Sequence, residues 1–411
     1  MRLLILGINY APEPVGIGPY TAEMARSLAE RGHAVDVVTA KPYYPQWALA
    51  AGYERRGYIR REEGGAHVVH APLYVPAKPS GAKRVVHHAS FAASALWPAL
   101  RAAAKRKPEL VFTIAPSMMS APVARLAARV AGAASWLHIQ DFEVGAAFAT
   151  GLLTPNSGLG RLARRIERVA YGGFDRYSSI SPQMCARFAE LGVPAGRVVE
   201  FRNWSDIAAI TPMETPSPYR QQWGIATPHV ALYSGNISNK QGIGIIVEAA
   251  RRLRARDDLT FVVCGEGPQK AQLVASAGDL PNIRFHDLQP RERLHELMGL
   301  ATIHLLPQLA GAADLVLPSK LTNMLASGRP VVATADAGTG LADEVSGCGV
   351  VTPAGEAAAF ADGIVRLLDD PRLYAAAAHA ARARAEERWS KAAILGRIER
   401  LMIEAAAARR R

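Results

Sequence analysis

The 411-residue chain has three cysteines, Cys185, Cys264 and Cys348, far apart and in no Cys-x-x-Cys pair. That leaves no disulfide framework and no thiolate metal cluster, and it points to a reducing, intracellular compartment. No apolar run reaches the ~18–20 residues that a bilayer-spanning helix needs. The apolar start Met1–Leu6 passes at once into Gly7, Asn9, Pro12 and Glu13. Without a signal peptide's long core and cleavage site, it predicts a first β-strand. No Asp-x-Asp and no His-Glu-x-x-His occurs, so neither a nucleotide-bound divalent cation nor a zinc site is expected, and no cofactor. No Gly-x-Ser-x-Gly and no Walker loop is present, which excludes an α/β-hydrolase and a P-loop ATPase.

What is present suits a folded, multidomain chain. Hydrophobic residues make up 49% and charged residues 20%, enough to fill real cores and exclude disorder. At about 100–200 residues per domain, the length predicts two or three domains. The net charge of +12 is uneven: residues 1–206 carry +10 and residues 207–411 carry +2. A basic front half favours an anionic partner, whether nucleic acid, a phosphorylated substrate or an acidic lipid surface, and equally serves solubility.

Both halves alternate strands with helices. In the front half, strands are predicted near Leu3–Leu6, Ala34–Thr39, His67–His70, Leu110–Ile114, Ser135–Ile139, Tyr177–Ile180 and Arg197–Phe201. Helices fall between them. A proline-bearing stretch, Asn203–Pro218, reads as the linker. The back half then restarts with His229–Tyr233, a glycine, a helix and Leu259–Cys264. The fold class is α/β, with two Rossmann-like doubly wound domains facing across a cleft, each binding ligands at the carboxyl ends of its strands. The expected divisions are 1–205, 206–390, and a C-terminal helix with a basic tail over 391–411.

Several segments carry candidate chemistry. Gly16-Ile17-Gly18 opens the first helix, where glycines allow close backbone approach to a phosphate; an ordinary βα loop explains it equally. Ser234–Gly242 again joins strand to helix, with Gly235 and Asn236, and adds Lys240, suited either to neutralising a pyrophosphate or to plain solvation. Gly265-Glu266-Gly267 repeats the pattern after the next strand. In 311–330, Pro318 suits a helix start that presents Ser319, Lys320 and Asn323, a polar ligand end or a capped surface helix. His138, Gln140 and Asp141 cluster at the end of a buried strand; a histidine there also suits a hydrogen-bonded core position. Residues 83–107 combine an apolar middle and Trp97 with basic flanks, matching a helix lying on an anionic leaflet or one covering a sheet.

Together LGINYAPEPVGIGPYTAEMARSLAERGHAVDVVTAKPYYPQW, LHIQDFEV, FRNWSD, YSGNISNKQG and LPSKLTNMLASGRPVV resemble glycosyltransferase family 4. Within it, they are most similar to the fucosyltransferase-like, colanic-acid biosynthesis branch. The resemblance implies the GT-B fold, a C-terminal helix crossing back to the front domain, and metal-independent, retaining transfer of a hexose from a nucleotide-sugar. The sugar would be fucose from GDP-fucose, and the acceptor a lipid-linked glycan at the inner face of the membrane, with no nucleic-acid partner. Carried over, Gly16 and Gly18 lie near the donor phosphates and sugar. Lys240 and Lys320 supply the cations, and Gly265–Gly267 with Leu288 flank the nucleoside. Asp141 matches the family's acidic position, with Gln140 in place of its histidine and His138 two residues early. The paired-glutamate motif departs: Asn323 and Leu315 stand at its two positions, the latter beside Asp314, and Asn236 replaces a common arginine.

Two rivals remain at this point. A nicotinamide-dependent oxidoreductase lacks its full glycine triplet and acidic partner here. A sugar-nucleotide-binding scaffold without catalysis is compatible with the missing glutamates.

Overall fold

A computed structural model describes the chain except for Val15, Pro79, residues 150–153, Pro155, residues 205–206, 238–240 and 310–318, and Arg411. The chain forms two compact units, Met1–Asn203 with Leu395–Arg411, and Trp204–Ile394.

Unit 1 is built on strands β1 (Arg2–Gly7), β2 (Ala34–Ala40), β3 (Ile59–Glu63), β4 (Ala66–Ala71), β5 (Leu110–Ala115), β6 (Ala134–Ile139), β7 (Arg176–Ser179) and β8 (Val198–Glu200), in the order β3-β4-β2-β1-β5-β6-β7-β8. Neighbours run parallel except β3, which pairs antiparallel with β4. Strands β5 and β6 are buried along their whole length, as a sheet covered on both faces requires. β3, of sequence IRREE, is largely exposed and was not expected, since it has no apolar alternation. Its signal is the turn, Gly64-Gly65, with φ +58° and +80°, the backbone a two-residue hairpin favours. Of residues 83–107, all but Lys107, which ends it in a left-handed conformation, lie in a helix, Gly81–Arg106, that buries His87, Phe91, Ala95, Pro98, Ala99 and Ala103 against the unit. It covers the sheet, and Trp97 stays 63% exposed.

The last helix, Lys391–Arg410, seats Leu395, Ile398 and Met402 in unit 1 at 2% exposure or less. Its Glu399 accepts hydrogen bonds from Arg31 at 2.6 Å and His33 at 2.7 Å.

Unit 2 contains β9 (His229–Ser234), β10 (Leu259–Cys264), β11 (Ile283–His286), β12 (Ile303–Leu306), β13 (Val331–Thr334) and β14 (Gly349–Thr352), all parallel, ordered β11-β10-β9-β12-β13-β14. The order reverses between β9 and β12, the point where such sheets leave a crevice at their carboxyl ends. A cavity of about 580 Å³ opens at the other edge, where His229, Thr302 and Arg329 lie at the amino ends of strands. It is remote from the glycine loops.

Candidate active site

In unit 2, three glycines close the carboxyl edge. Gly235, Gly265 and Gly267 have φ of +139°, +159° and +154°, which L side chains rarely adopt. A Cβ at Gly265 would lie 1.9 Å from the Gly235 carbonyl oxygen, and one at Gly267 would lie 2.2 Å from that of Ile237. The loops after β9 and β10 therefore stack backbone on backbone. Gly235 N–H donates to the Cys264 carbonyl at 2.9 Å, and Gly265 N–H donates to that of His286 at 2.9 Å. These two amides are spent on holding the loops.

Beneath the first loop lies Lys320. The helix Ser319–Ala326 carries it into the edge, where a Cβ on Gly235 would meet its Cε at 2.6 Å. Its Nζ donates to the Tyr233 hydroxyl at 2.6 Å and sits 4.3 Å from that ring's centroid; the Tyr233 hydroxyl donates in turn to the Asn236 carbonyl at 2.6 Å. Burial lowers the Lys320 pKa to about 8 and raises that of Tyr233 well above its ordinary value. Among the described residues no carboxylate pairs with Lys320. A half-buried ammonium whose partner is a neutral phenol has room in its electrostatics for an anion.

Around this centre, Asn323 is half-buried one turn along the same helix. Glu266 pairs with Lys270 at 2.7 Å, and Lys270 also pairs with Asp287, so the carboxyl ends of β10 and β11 carry a compact ionic cluster. Leu288 follows it, 60% exposed. Lys240 and Asp314 lie outside the described residues, as do Leu315 and Pro318, and of Ser319 only the backbone position at the helix start is described.

Unit 1 presents its own carboxyl edge. Gly16, at φ +75°, packs against the Tyr44 ring, and a Cβ on Gly18 would lie 3.0 Å from the Tyr10 carbonyl oxygen and from the Glu13 Cβ. The loop is wound around Glu13, which is 4% exposed. The Glu13 carboxylate accepts from the Tyr43 and Tyr44 N–H groups, both at 3.1 Å, and from the Asn9 amide at 2.9 Å. Burial raises its pKa, and those donors pull against the rise. Glu143 does the same at the next loop, accepting from Ser117 N–H at 3.2 Å and Met118 N–H at 2.6 Å. Its Oε1 lies 3.7 Å from His88 Nε2. Burial moves both groups toward neutrality, His88 down to about 4 and Glu143 upward.

His138, Gln140 and Asp141, clustered at one strand end in sequence, do not all reach this edge. His138 is 2% exposed, stacked on Phe112 at 5.9 Å, with Nδ1 2.9 Å from the Ser178 hydroxyl, and burial drives its pKa to about 3. It is a core histidine, because its place one residue before the end of β6 turns it into the packed layer. Gln140 lies past the strand, half-buried, and exchanges two 2.9 Å amide hydrogen bonds with Asn203. Asp141 follows and is exposed. Sequence reasoning missed Tyr233, Glu13 and Glu143. The Pro12-Glu13-Pro14 triplet was the available signal for Glu13; a tyrosine inside an apolar strand offers none.

The chain's residues 15–204 match the Glycosyl transferase 4-like domain family, and residues 228–370 match Glycosyl transferases group 1. A glycosyl transferase named for colanic acid biosynthesis, WcaI of Escherichia coli K12, is 43% identical over 83% of this chain and 85% of its own. The chain belongs to glycosyltransferase family 4, in its colanic-acid-like branch. Solved structures agree on the fold of this family 4 enzyme. Sucrose-phosphate synthase from Thermosynechococcus elongatus superposes with a TM-score of 0.72 at 17% identity, covering 99% of this chain and all of its own. Anabaena HepE, in complex with UDP, gives 0.70 at 18% identity over 98% of this chain and all of its own. The fold of the family 4 enzyme is accordingly GT-B, with a Rossmann-like domain in each unit.

Proposed function

We propose that this glycosyltransferase binds the diphosphate of a nucleotide-sugar at the carboxyl edge of the unit 2 sheet and transfers the hexose, with retention and without a metal, to a lipid-linked glycan. The observation that carries the reading is Lys320: a cation held half-buried under a glycine loop, at the strand-order reversal, with no carboxylate partner among the described residues. Lys240, on the same βα loop in sequence, is the second cation. Support for the donor class comes from Anabaena HepE, crystallised with UDP-glucose. Support for an exopolysaccharide acceptor comes from the name of WcaI. The absence of an Asp-x-Asp pair supports metal independence. Fucose, from GDP-fucose, is the sugar the branch resemblance suggests.

In this mechanism the bond from the anomeric carbon to the diphosphate oxygen breaks as the two ammonium groups meet the growing negative charge. The acceptor hydroxyl oxygen bonds to the same face of the anomeric carbon, and its proton passes to the departing diphosphate. No side-chain nucleophile is needed. The neighbouring Glu266–Lys270–Asp287 cluster offers carboxylate acceptors for the hydroxyls of the donor's ribose. The same reading puts the enzyme at the inner membrane surface of the cytoplasm, where a lipid-linked acceptor resides.

The test is a thermal-shift screen of GDP-, UDP- and dTDP-sugars followed by product analysis with the stabilising donor. The proposal expects one nucleotide class to raise the melting temperature, and the product anomer to keep the donor's configuration. Stabilisation by NADH alone would replace it with the oxidoreductase reading. Donor binding with neither transfer nor hydrolysis would leave a binding scaffold.

A further inference from the structure

Unit 1 carries a second element that faces solvent with the wrong side chains. The helix Gly158–Tyr171 is capped by Ser157, whose hydroxyl accepts from Gly160 N–H at 3.0 Å, and it buries Gly160, Glu167, Ala170 and Tyr171. Its remaining apolar residues are exposed: Leu159 at 69%, Leu162 at 52%, Ile166 at 48% and Val169 at 64%. At about 100° per residue these four fall within a stripe about 80° wide, and Leu159 to Val169 spans about 15 Å of helix axis. Arg161, Arg164, Arg165 and Arg168 occupy a separate arc, and all four are exposed. The neighbouring helix Ala121–Ala131 packs against this one and exposes Leu126 at 42% and Val130 at 51%.

An amphipathic helix in a folded unit normally turns its apolar stripe inward. Here the packed face is made of small residues, a glutamate and a tyrosine, and the large aliphatic side chains are left out. We infer that the helix Gly158–Tyr171 is the element that lies in an anionic lipid surface, with its leucine–isoleucine–valine stripe among the acyl chains and its arginines at the headgroups. Two features choose this occupant. Four arginines and no exposed acid on one helix match an anionic surface, and their long stems let the guanidinium groups stay at headgroup level. A second copy of the chain would bring the same arginines against each other, which like-charge repulsion opposes. This deepens the membrane-surface part of the proposed function and rests on it, but it moves the contact. The helix Gly81–Arg106, the segment that sequence singled out, exposes Val85 and Val86 near its start and Leu96 and Trp97 about 16 Å further along, and it spends its middle on the core, so it offers two separate patches rather than one continuous stripe.

The experiment is co-sedimentation of the full chain with vesicles of phosphatidylcholine alone and of an equal mixture with phosphatidylglycerol. The wild-type protein should pellet with the mixed vesicles and release as salt rises. The double variant Leu162→Glu/Ile166→Glu should lower the partition coefficient by about ten-fold or more, and Arg165→Glu/Arg168→Glu should do so while also flattening the salt dependence. Trp97→Glu should change it by no more than about two-fold. All sites are exposed, and unchanged melting curves confirm folding. If Leu162→Glu/Ile166→Glu binds like wild type and Trp97→Glu does not, this helix is not the contact, though the membrane reading stands. If wild type ignores both vesicles, both fall. If light scattering shows a dimer that Leu162→Glu/Ile166→Glu splits, a second copy covers the stripe and the inference is overturned.

Discussion

Lys320 is where a single side chain sets a measurable property. Its pKa of about 8 means the free enzyme loses this charge as pH climbs past 8, while a bound diphosphate would hold the proton on. Nucleoside diphosphate affinity should therefore weaken above pH 8, by at most about ten-fold per pH unit, since one proton is linked to binding. Calorimetry at pH 8.5 in two buffers of different ionisation enthalpy should show uptake of a fraction of a proton, and none in Lys320→Met. The stability sign runs the other way. A lysine with a lowered folded pKa destabilises the apo fold when charged, so that penalty is full below pH 8 and fades as pH rises toward 10.5. Lys240→Ala should cut turnover by about two orders of magnitude or more, as loss of one anion-hole donor does; near-wild-type turnover of donor and acceptor would remove the second cation from the mechanism.

At the scale of elements, the strand-end loops are braced in two ways. In unit 2 the brace is steric: Gly265→Ala places a methyl 1.9 Å from the Gly235 oxygen, and the loops must part. Overpacking of this kind costs about 1–3 kcal/mol, which for a unit of this size lowers the melting temperature by about 3–10 °C. Because Lys320 lies under the same loop, donor affinity should fall with it. In unit 1 the brace is polar. Glu13→Ala leaves the buried Tyr43 N–H and the partly buried Tyr44 N–H without their acceptor, a loss of about 1–3 kcal/mol; chemical denaturation should show it. Much of this level was legible beforehand. The strands, the linker and the positions of the glycine loops follow from apolar runs punctuated by glycine and proline. The loops' use was not: that Gly235 and Gly265 spend their N–H groups on neighbouring strands depends on which strands sit side by side. His138 shows the same limit, since its sequence context suits a strand end and a packed layer equally.

The whole chain leaves unit 1 at Asn203 and returns to it at Leu395. Truncation before Leu395 would strip Leu395, Ile398 and Met402 from their seats, each worth about 1.5–3 kcal/mol when fully buried. The truncated protein should show a large selective loss in the unfolding of unit 1, or be insoluble; a calorimetric trace like that of the full chain would contradict this. Glu399 adds a smaller, pH-bound share. Burial works to raise its pKa, but Arg31 and His33 prevail and hold it below the usual carboxylate range. Its contribution is present above about pH 4.5 and is lost as the solution is acidified below that.

Sequence alone determined the two doubly wound units and the family. The first rests on the local spacing of apolar runs, glycines and prolines and the second on the resemblance of whole motifs, both of which a chain displays before it folds. Tertiary structure decided the environment of each group: the burial that brings Lys320 to about pKa 8, the removal of His138 into the core, and the exposure of Leu159, Leu162, Ile166 and Val169. Burial and pairing belong to distant residues brought together, as Tyr233 and Lys320 are across 87 positions, and no local pattern encodes them.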